Sequence, residues 1–96
     1  MITSKQRSYL RSLAIKLEPI FHVGKNGIED AFLKQVAEAL EARELIKIAV
    51  LDNSEYTSRQ ASDYICEKLD CDGVQSIGKK LVLYRKSNKN SKIELI

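Results

Sequence analysis

The sequence is poor in cysteine and histidine, which are the usual zinc ligands. It contains two cysteines, Cys66 and Cys71, and one histidine, His22, among 96 residues. A structural zinc site needs four protein ligands and a catalytic one needs three, and the histidine is far from both cysteines along the chain. We therefore expect free thiols, no metal and no cofactor. Because His22 has no carboxylate or nucleophile partner in the sequence, we also expect no catalytic residue and no enzymatic activity.

Glycine is scarce, with four residues, and long apolar runs are absent. The sequence has no GxxxxGK[ST] phosphate loop and no GxGxxG after a strand, which argues against nucleotide hydrolysis and dinucleotide binding. No apolar run approaches the roughly 20 residues that cross a bilayer, and the first seven residues lack the apolar core of a secretory signal. These features predict a cytoplasmic protein without a membrane partner or a small-molecule substrate.

Charged residues are plentiful but unevenly distributed. The net charge is +3, yet residues 1–17 carry four basic groups and no acid, and residues 76–92 carry six basic groups and no acid. Residues 18–75 have a net charge of −6. The two basic ends would form a positive face for a polyanion if the fold brings them together. If they stay apart, they are ordinary solvated termini.

Apolar spacing and turn signals predict seven elements in the order α-β-α-β-α-β-β. Capping-box spacings start the first helix at Thr3 or Ser4 and the third at Thr57, and Pro19 ends the first helix. The other predicted elements are a strand at 20–23, a helix at 28–43, a strand at 45–51 and a hairpin with strands at 74–77 and 80–85.

This order predicts a two-layer α/β domain with a four-stranded mixed sheet. Lys47 alternates with apolar neighbours in its strand, so we expect the sheet to be covered mainly on one side and wet on the other. The domain is expected to span residues 1–86. A basic, polar and mobile tail is expected over residues 87–96.

The segment Gly24-Lys25-Asn26-Gly27 joins a predicted strand to a predicted helix. Glycine lets backbone approach a ligand closely, and the following helix points unpaired amide donors and its positive dipole end toward the loop. Lys25 adds a positive charge and Asn26 a hydrogen-bond donor. The competing interpretation is a plain turn, because two glycines three positions apart are common at turns.

Further basic residues have two interpretations each. Arg7 and Arg11 lie one helical turn apart, and a phosphate would relieve their mutual repulsion. Alternatively, their stems pack along the core edge while their charged heads reach water. Lys79, Lys80 and Arg85 in the closing hairpin either bind phosphate or protect an exposed turn from unwanted pairing.

Several of these residues together resemble one known family. The matching runs are Ser4-Lys5-Gln6-Arg7, Tyr9-Leu10-Arg11, Leu13-Ala14, Leu17, Pro19, Val23-Gly24-Lys25-Asn26-Gly27, Glu44-Leu45-Ile46-Lys47 and Ile77-Gly78-Lys79-Lys80-Leu81-Val82-Leu83-Tyr84-Arg85. In order and spacing they resemble the CRM (chloroplast RNA splicing and ribosome maturation) domain family, in particular its single-domain bacterial YhbY type. The resemblance covers residues 3–86. The chain departs from the usual pattern at Ile28-Glu29-Asp30.

The resemblance implies an RNA-binding domain, similar in fold to the C-terminal domain of bacterial translation initiation factor three. Bacterial members associate with precursors of the large ribosomal subunit, so ribosomal RNA is the expected partner of a monomer. The GxxG loop of the family contacts RNA, which transfers to Gly24, Lys25, Asn26 and Gly27. The adjoining basic surface of the family transfers to Lys5, Arg7, Arg11, Lys79, Lys80 and Arg85.

A protein-interaction adaptor is the alternative function. In that interpretation the open sheet face around Lys47, or the acidic third helix, docks a basic partner such as a ribosomal protein. The two hypotheses differ in whether purified RNA binds.

Overall fold

Helices and strands alternate in the order that the sequence predicts. The computed structural model describes residues 2–89, 91 and 93–95. Its elements are α1 (Ser4–Ala14), β1 (Pro19–Val23), α2 (Asp30–Arg43), β2 (Leu45–Val50), α3 (Ser58–Leu69), β3 (Asp72–Ile77) and β4 (Lys80–Tyr84). The predicted mixed α/β fold, with three helices and a four-stranded mixed sheet, is confirmed.

The strands lie in the order β1-β2-β4-β3, with β1 parallel to β2 and the other two pairs antiparallel. Because β4 runs against β1 and β2, the ends of β1 and β2 at Val23 and Val50 lie beside the start of β4 at Lys80. We call this side of the sheet the loop end. The opposite side, the anchor end, has in register Leu45, Asp72 and Tyr84.

Two capping boxes start α1 and α3 at the predicted residues. The Gln6 N–H donates to Thr3 Oγ1 at 3.1 Å, and the Thr3 N–H donates to Gln6 Oε1 at 2.9 Å. Thr57 and Gln60 repeat this pair of bonds at 3.1 and 3.0 Å. An N-cap of this kind contributes about 1 kcal/mol to helix stability, so a local signal fixes both starts.

The end of α1 and the start of α2 differ from the prediction. α1 ends at Ala14, after which the Leu17 N–H donates to the Ala14 carbonyl at 3.0 Å in a turn. Pro19 is instead the first residue of β1, an edge strand, where a missing backbone donor is tolerated. α2 begins at Asp30 because Glu29 has extended backbone angles, φ −92° and ψ 166°.

Both faces of the sheet carry helices, which corrects the expectation of a two-layer domain with one wet face. Side chains of successive strand residues point to opposite faces. Leu81 and Leu83 of β4 join the core cluster of α2 and α3, whereas Val82 and Tyr84 join a second cluster with Leu10 of α1. α1 therefore packs over β2, β3 and β4 on the face opposite α2 and α3.

The segment after Lys86 returns to the anchor end, which differs from the expectation of a mobile tail. The carboxylate of the buried Glu44 accepts hydrogen bonds from the N–H groups of Ser87 and Ile93, both at 2.8 Å. Ser87 is buried, and Ile93 and Leu95 pack against the α1 cluster. A buried carboxylate thus attaches the described part of this segment to the domain. Residues 90, 92 and 96 of the expected tail lie outside the described residues.

Candidate nucleic-acid interface

The GxxG loop follows β1 directly and forms a tight turn at the loop end. The Gly27 N–H donates to the Gly24 carbonyl at 3.1 Å. Gly27 has a φ of +74°, a left-handed conformation that strains any residue with a Cβ. Lys25 and Asn26 form the exposed tip of the turn. The side chains of Lys25 and Asn26, which are expected to contact RNA, therefore face solvent.

The base of the loop rests on the segment that joins β2 to α3. The Leu51 N–H donates to the Val23 carbonyl at 2.8 Å. A Cβ built on Gly24 would lie 3.4 Å from Leu51 Cδ1, and one built on Gly27 would lie 3.6 Å from Tyr56 Cε2. The loop is therefore held at its base and open at its tip.

The turn between β3 and β4 reaches the same end of the sheet. The Val50 N–H donates to the Lys79 carbonyl at 2.6 Å, and the Ser58 hydroxyl donates to the Gly78 carbonyl at 2.9 Å. The Lys79 ammonium pairs with Asp52 Oδ1 at 2.8 Å, and both side chains are exposed. The hydrogen bond from Lys79, together with its charge, lowers the pKa of Asp52. The hairpin turn with Lys79 thus lies at the same end of the sheet as the GxxG loop with Lys25.

Beside the loop, the sheet face on the α1 side carries two residues that the sequence analysis left out of the interface. Ala49 pairs with His22 in β1 and with Lys80 in β4, so His22 and Lys80 share a face, two strand spacings or about 10 Å apart. Lys47 is half-buried on the same face. The alternation of residues along β1 could have indicated that His22 lies on this face, because His22 stands between two apolar residues.

Arg7 and Arg11 lie at the other edge of the sheet, in a groove between α1, β3 and α3 that we call the arginine groove. Arg7 is half-buried, and its Nε donates to the Gly73 carbonyl at 3.2 Å. Arg59 of α3 also lines the groove, although it pairs with Asp63 at 3.2 Å. β1 and β3 are the two edge strands, so three strand spacings, about 14 Å, separate this groove from the GxxG loop.

Arg85 is held at the anchor end. Its guanidinium donates to the carbonyls of Leu69 at 2.9 Å and Ala37 at 3.3 Å, and its N–H donates to the Glu44 carbonyl at 3.0 Å. It thereby ties the end of α3 to α2, on the side of the sheet opposite the GxxG loop. Lys5 is exposed in the first turn of α1.

Apart from Lys5, which is exposed in the first turn of α1, the predicted basic residues fall into three groups. Lys25, Lys79 and Lys80 share the loop end, whereas Arg7 and Arg11 share the arginine groove. Arg85 stands apart from both groups, with its donors directed at helix carbonyls. The fold unites the hairpin lysines with the GxxG loop but does not form one continuous surface from all the predicted residues.

Acidic residues limit the positive potential of the loop end. The N-cap residue of α2, Glu29, makes no capping hydrogen bond with its side chain, and Asp30 occupies the first turn. Both are exposed. The helix terminus thus has amide donors that no N-cap side chain covers, with two carboxylates nearby.

Residues 2–89, 91 and 93–95 contain no group of three His, Cys, Asp or Glu side chains placed to hold a metal ion. In the same residues, no helix is both long and apolar enough to cross a membrane. Cys66 and Cys71 are free thiols, with their sulfurs 3.5 Å apart. Every buried side-chain nitrogen or oxygen of these residues has a hydrogen-bond partner.

Comparison with known proteins gives consistent matches along the chain. A family model described as the CRS1 / YhbY (CRM) domain matches residues 2–85. The "Probable RNA-binding protein YqeI" of Bacillus subtilis is 48% identical over 95 residues, which cover 99% of each chain. An "RNA-binding protein" of Haemophilus influenzae is 35% identical over 94 residues, which cover 98% of this chain and 94% of its own.

A solved structure agrees with these matches. The solution structure of the hypothetical protein SAV1595 from Staphylococcus aureus is similar, with a TM-score of 0.74, 43% identity and complete coverage of both chains. The names of the B. subtilis and H. influenzae relatives refer to RNA binding and not to an enzymatic activity. The chain belongs to the CRS1 / YhbY (CRM) domain family.

Proposed function

We propose that this protein binds structured ribosomal RNA by its phosphate backbone, through the GxxG loop and the basic surface beside it. The observation that carries the proposal is the convergence of Lys25, Lys79 and Lys80 at the loop end. Several cations on one surface can engage several phosphates together, and phosphate contacts supply much of the affinity of such complexes. The names of the relatives support RNA as the polyanion.

The GxxG loop offers a phosphate group a place to dock. Gly24 and Gly27 have no side chains, so the sugar-phosphate backbone can approach closely. The amide donors and the positive dipole end of α2 add to the attraction. Because the carboxylates of Glu29 and Asp30 repel an anion at the mouth of the helix, we place the phosphate at the tip of the loop beside Lys25.

RNA can replace Asp52 as the partner of Lys79 at the loop end. Both side chains are exposed, so the pair is hydrated and weak. A phosphate that binds Lys79 must displace the Asp52 carboxylate, which therefore competes with RNA for this lysine. In the free protein the same carboxylate holds the ammonium next to the hairpin turn.

The arginine groove provides a second contact area on the same RNA. Arg11 is exposed, and Arg7 has one guanidinium nitrogen committed to the Gly73 carbonyl. A folded RNA presents phosphates from more than one strand, so it can contact both edges of one small sheet. This separation favours a structured RNA over a short single strand.

We place this activity in large ribosomal subunit assembly, carried out by a monomer in the cytoplasm without catalysis. The family resemblance supports the ribosomal target, and the bacterial relatives support RNA binding. Sedimentation of a cell lysate, followed by crosslinking and RNA sequencing, tests the target. We expect the protein to enrich with large-subunit precursors, and recovery only at the top of the gradient without RNA crosslinks would contradict the assembly role.

Binding of a ribosomal RNA fragment, measured by fluorescence anisotropy at several salt concentrations, tests the site. The double variant Lys25→Gln, Lys79→Gln should bind more weakly and reduce the slope of log affinity against log salt by about 1.5, since each phosphate contact contributes roughly 0.7 to 0.9. The matched control Lys34→Gln, Lys68→Gln removes the same charge from the exposed faces of α2 and α3. Equal slopes for the two double variants would remove the loop end from the mechanism.

A protein-interaction adaptor remains the second candidate. A shallow groove lined by Tyr56, Tyr64, Glu55, Asp63 and Glu67 offers acidic and aromatic groups to a basic segment of a partner. The sheet face around Lys47 supports this role less, because α1 packs over much of that face. Partner capture that survives RNase treatment, with no affinity for purified RNA, would favour the adaptor.

A further inference from the structure

Two thiols meet where α3 ends. Cys66 lies in the last turn of α3, and Cys71 directly precedes β3. Asp70 between them has a left-handed φ of 54°, and the Cys71 N–H donates to the Cys66 carbonyl at 3.3 Å. This hydrogen bond is typical of a helix ending that brings the residue after the left-handed one back to the last helical turn.

The two sulfurs are in direct non-bonded contact. They lie 3.5 Å apart, and a disulfide bond is about 2.05 Å long. They therefore need to approach by about 1.5 Å, which side-chain rotation can largely provide because the backbone hydrogen bond already holds the two residues side by side. An ordinary packing contact at a helix end has the same backbone geometry, and the response of the pair to a disulfide reagent distinguishes the two roles.

The pair has an attacking thiol and a resolving thiol. A hydrogen bond from the Cys71 thiol lowers the pKa of Cys66, against the opposing effect of burial, and the Ser62 hydroxyl lowers it further. The same thiol contact and burial raise the pKa of Cys71. Since the thiolate is the nucleophile in disulfide exchange, Cys66 reacts first. Both cysteines are half-buried and line the arginine groove, which leaves them accessible to a small reagent.

We propose that Cys66 and Cys71 form a redox-active dithiol, which a low-molecular-weight disulfide converts to an intramolecular disulfide. The Cys66 thiolate attacks one sulfur of the reagent, whose S–S bond breaks and releases one thiolate. Cys71 then loses its proton to solvent and attacks the Cys66 sulfur of the mixed disulfide, which releases the second thiolate. The cysteine pair gives up two electrons and two protons, and the reagent is reduced to two thiols.

The redox state is coupled to the arginine groove through Gly73. A Cβ built on Gly73 would lie 3.0 Å from Ser62 Oγ and 3.9 Å from Cys66 Sγ, so this residue lies beside Ser62 and the Cys66 sulfur. Its carbonyl accepts the hydrogen bond from Arg7. Movement of the Cys66 sulfur toward Cys71 therefore changes the surroundings of the backbone that positions Arg7.

Incubation of the reduced full chain with oxidised glutathione, followed by intact mass measurement and thiol titration, tests the proposal. We expect the wild type to lose two mass units and both titratable thiols while remaining a monomer, and dithiothreitol to restore both thiols. In amide NMR spectra the Gly73 resonance should shift on oxidation, whereas Gly24 at the loop end should not. Two thiols that persist in the folded wild type would contradict the proposal.

Single variants test the order of attack. Cys71→Ser should accumulate one glutathionyl group on Cys66, because no resolving thiol is present. Cys66→Ser should react severalfold more slowly, because burial still raises the pKa of the remaining Cys71 thiol after the contact with Cys66 is gone. Equal rates for the two variants would overturn the assignment of Cys66 as the attacking thiol. Disulfide-linked dimers in place of the intramolecular bond in the wild type would overturn the pairing itself.

Discussion

The two ends of the sheet use charged residues in opposite ways. At the anchor end, Glu44 is fully buried and accepts two backbone hydrogen bonds, and Arg85 donates to the carbonyls of two helices. At the loop end, Lys25 is exposed at a turn, and Lys79 forms an ion pair with Asp52, which is also exposed. Charge stabilises the fold at one end and is accessible to a ligand at the other.

Desolvation explains the difference. A charge that leaves water must find complete hydrogen bonding inside the protein, and losing one partner of such a group is costly. An exposed charge keeps its water and can exchange it for a phosphate. Variants at the anchor end should therefore change stability, and variants at the loop end should change RNA binding.

The largest expected effect is at Glu44. Glu44→Ala should lower the free energy of unfolding by about 3 kcal/mol, because the N–H groups of Ser87 and Ile93 lose a charged acceptor. Urea denaturation measures the change. Glu38→Ala, on the exposed face of α2, is the control and should stay within about 0.5 kcal/mol of the wild type. Equal stability of the two variants would contradict the role of Glu44 as an anchor.

Arg85 tests the comparison most directly. Arg85→Met keeps most of the side-chain volume but removes the donors to Leu69 and Ala37, and it should cost about 2 kcal/mol of stability. The affinity of the folded variant for a ribosomal RNA fragment should match that of the wild type. A variant with wild-type stability and weakened RNA binding would return Arg85 to the interface, where its position in the sequence had placed it.

The two glycines of the GxxG loop should differ. Gly27→Ala forces a Cβ into a left-handed conformation and should cost about 1 kcal/mol. Gly24→Ala should cost less, because a Cβ there lies 3.4 Å from Leu51 Cδ1 and no positive φ is needed. Thermal unfolding of both variants measures the difference. A larger loss for Gly24→Ala would show that packing against Leu51 matters more than the turn.

Tyr84 should make the anchor end sensitive to alkaline pH. Burial, followed by the charges of Glu44 and Asp72, raises the pKa of Tyr84 above its ordinary value of 10.0. The folded state then holds the phenol proton more tightly than the unfolded state. This contribution is complete below about pH 10 and is lost as the pH rises through the folded pKa. Tyr84→Phe should lose less stability than the wild type between about pH 9 and pH 11 in urea titrations, and parallel curves would contradict the assignment.

The smallest effect is expected at Asp52. Asp52→Asn removes the carboxylate that competes for Lys79, so affinity for RNA should rise slightly and its salt dependence should steepen. The exposed Glu67→Gln on α3 is the control with the same change in charge. If both variants gain affinity equally, the gain comes from net charge and not from release of Lys79.

Local signals predicted much of the fold. The capping boxes at Thr3 and Thr57 and the hairpin turn at Gly78 depend on residues within a few positions of each other, and the structure confirms them. The same kind of signal misplaced the end of α1, because Pro19 can end a helix or begin an edge strand. The choice depends on where the neighbouring strand lies, which no local pattern records.

The sequence by itself determined the order of the elements, the two N-caps, the position of the GxxG loop and the family. Only the tertiary structure decided that α1 covers the second face of the sheet and that Arg85 and Glu44 serve the fold. The Arg85–Ala37 and Ile93–Glu44 hydrogen bonds join residues 48 and 49 positions apart. The local sequence does not show whether a charged side chain is exposed or buried, because its hydration depends on distant segments that pack around it.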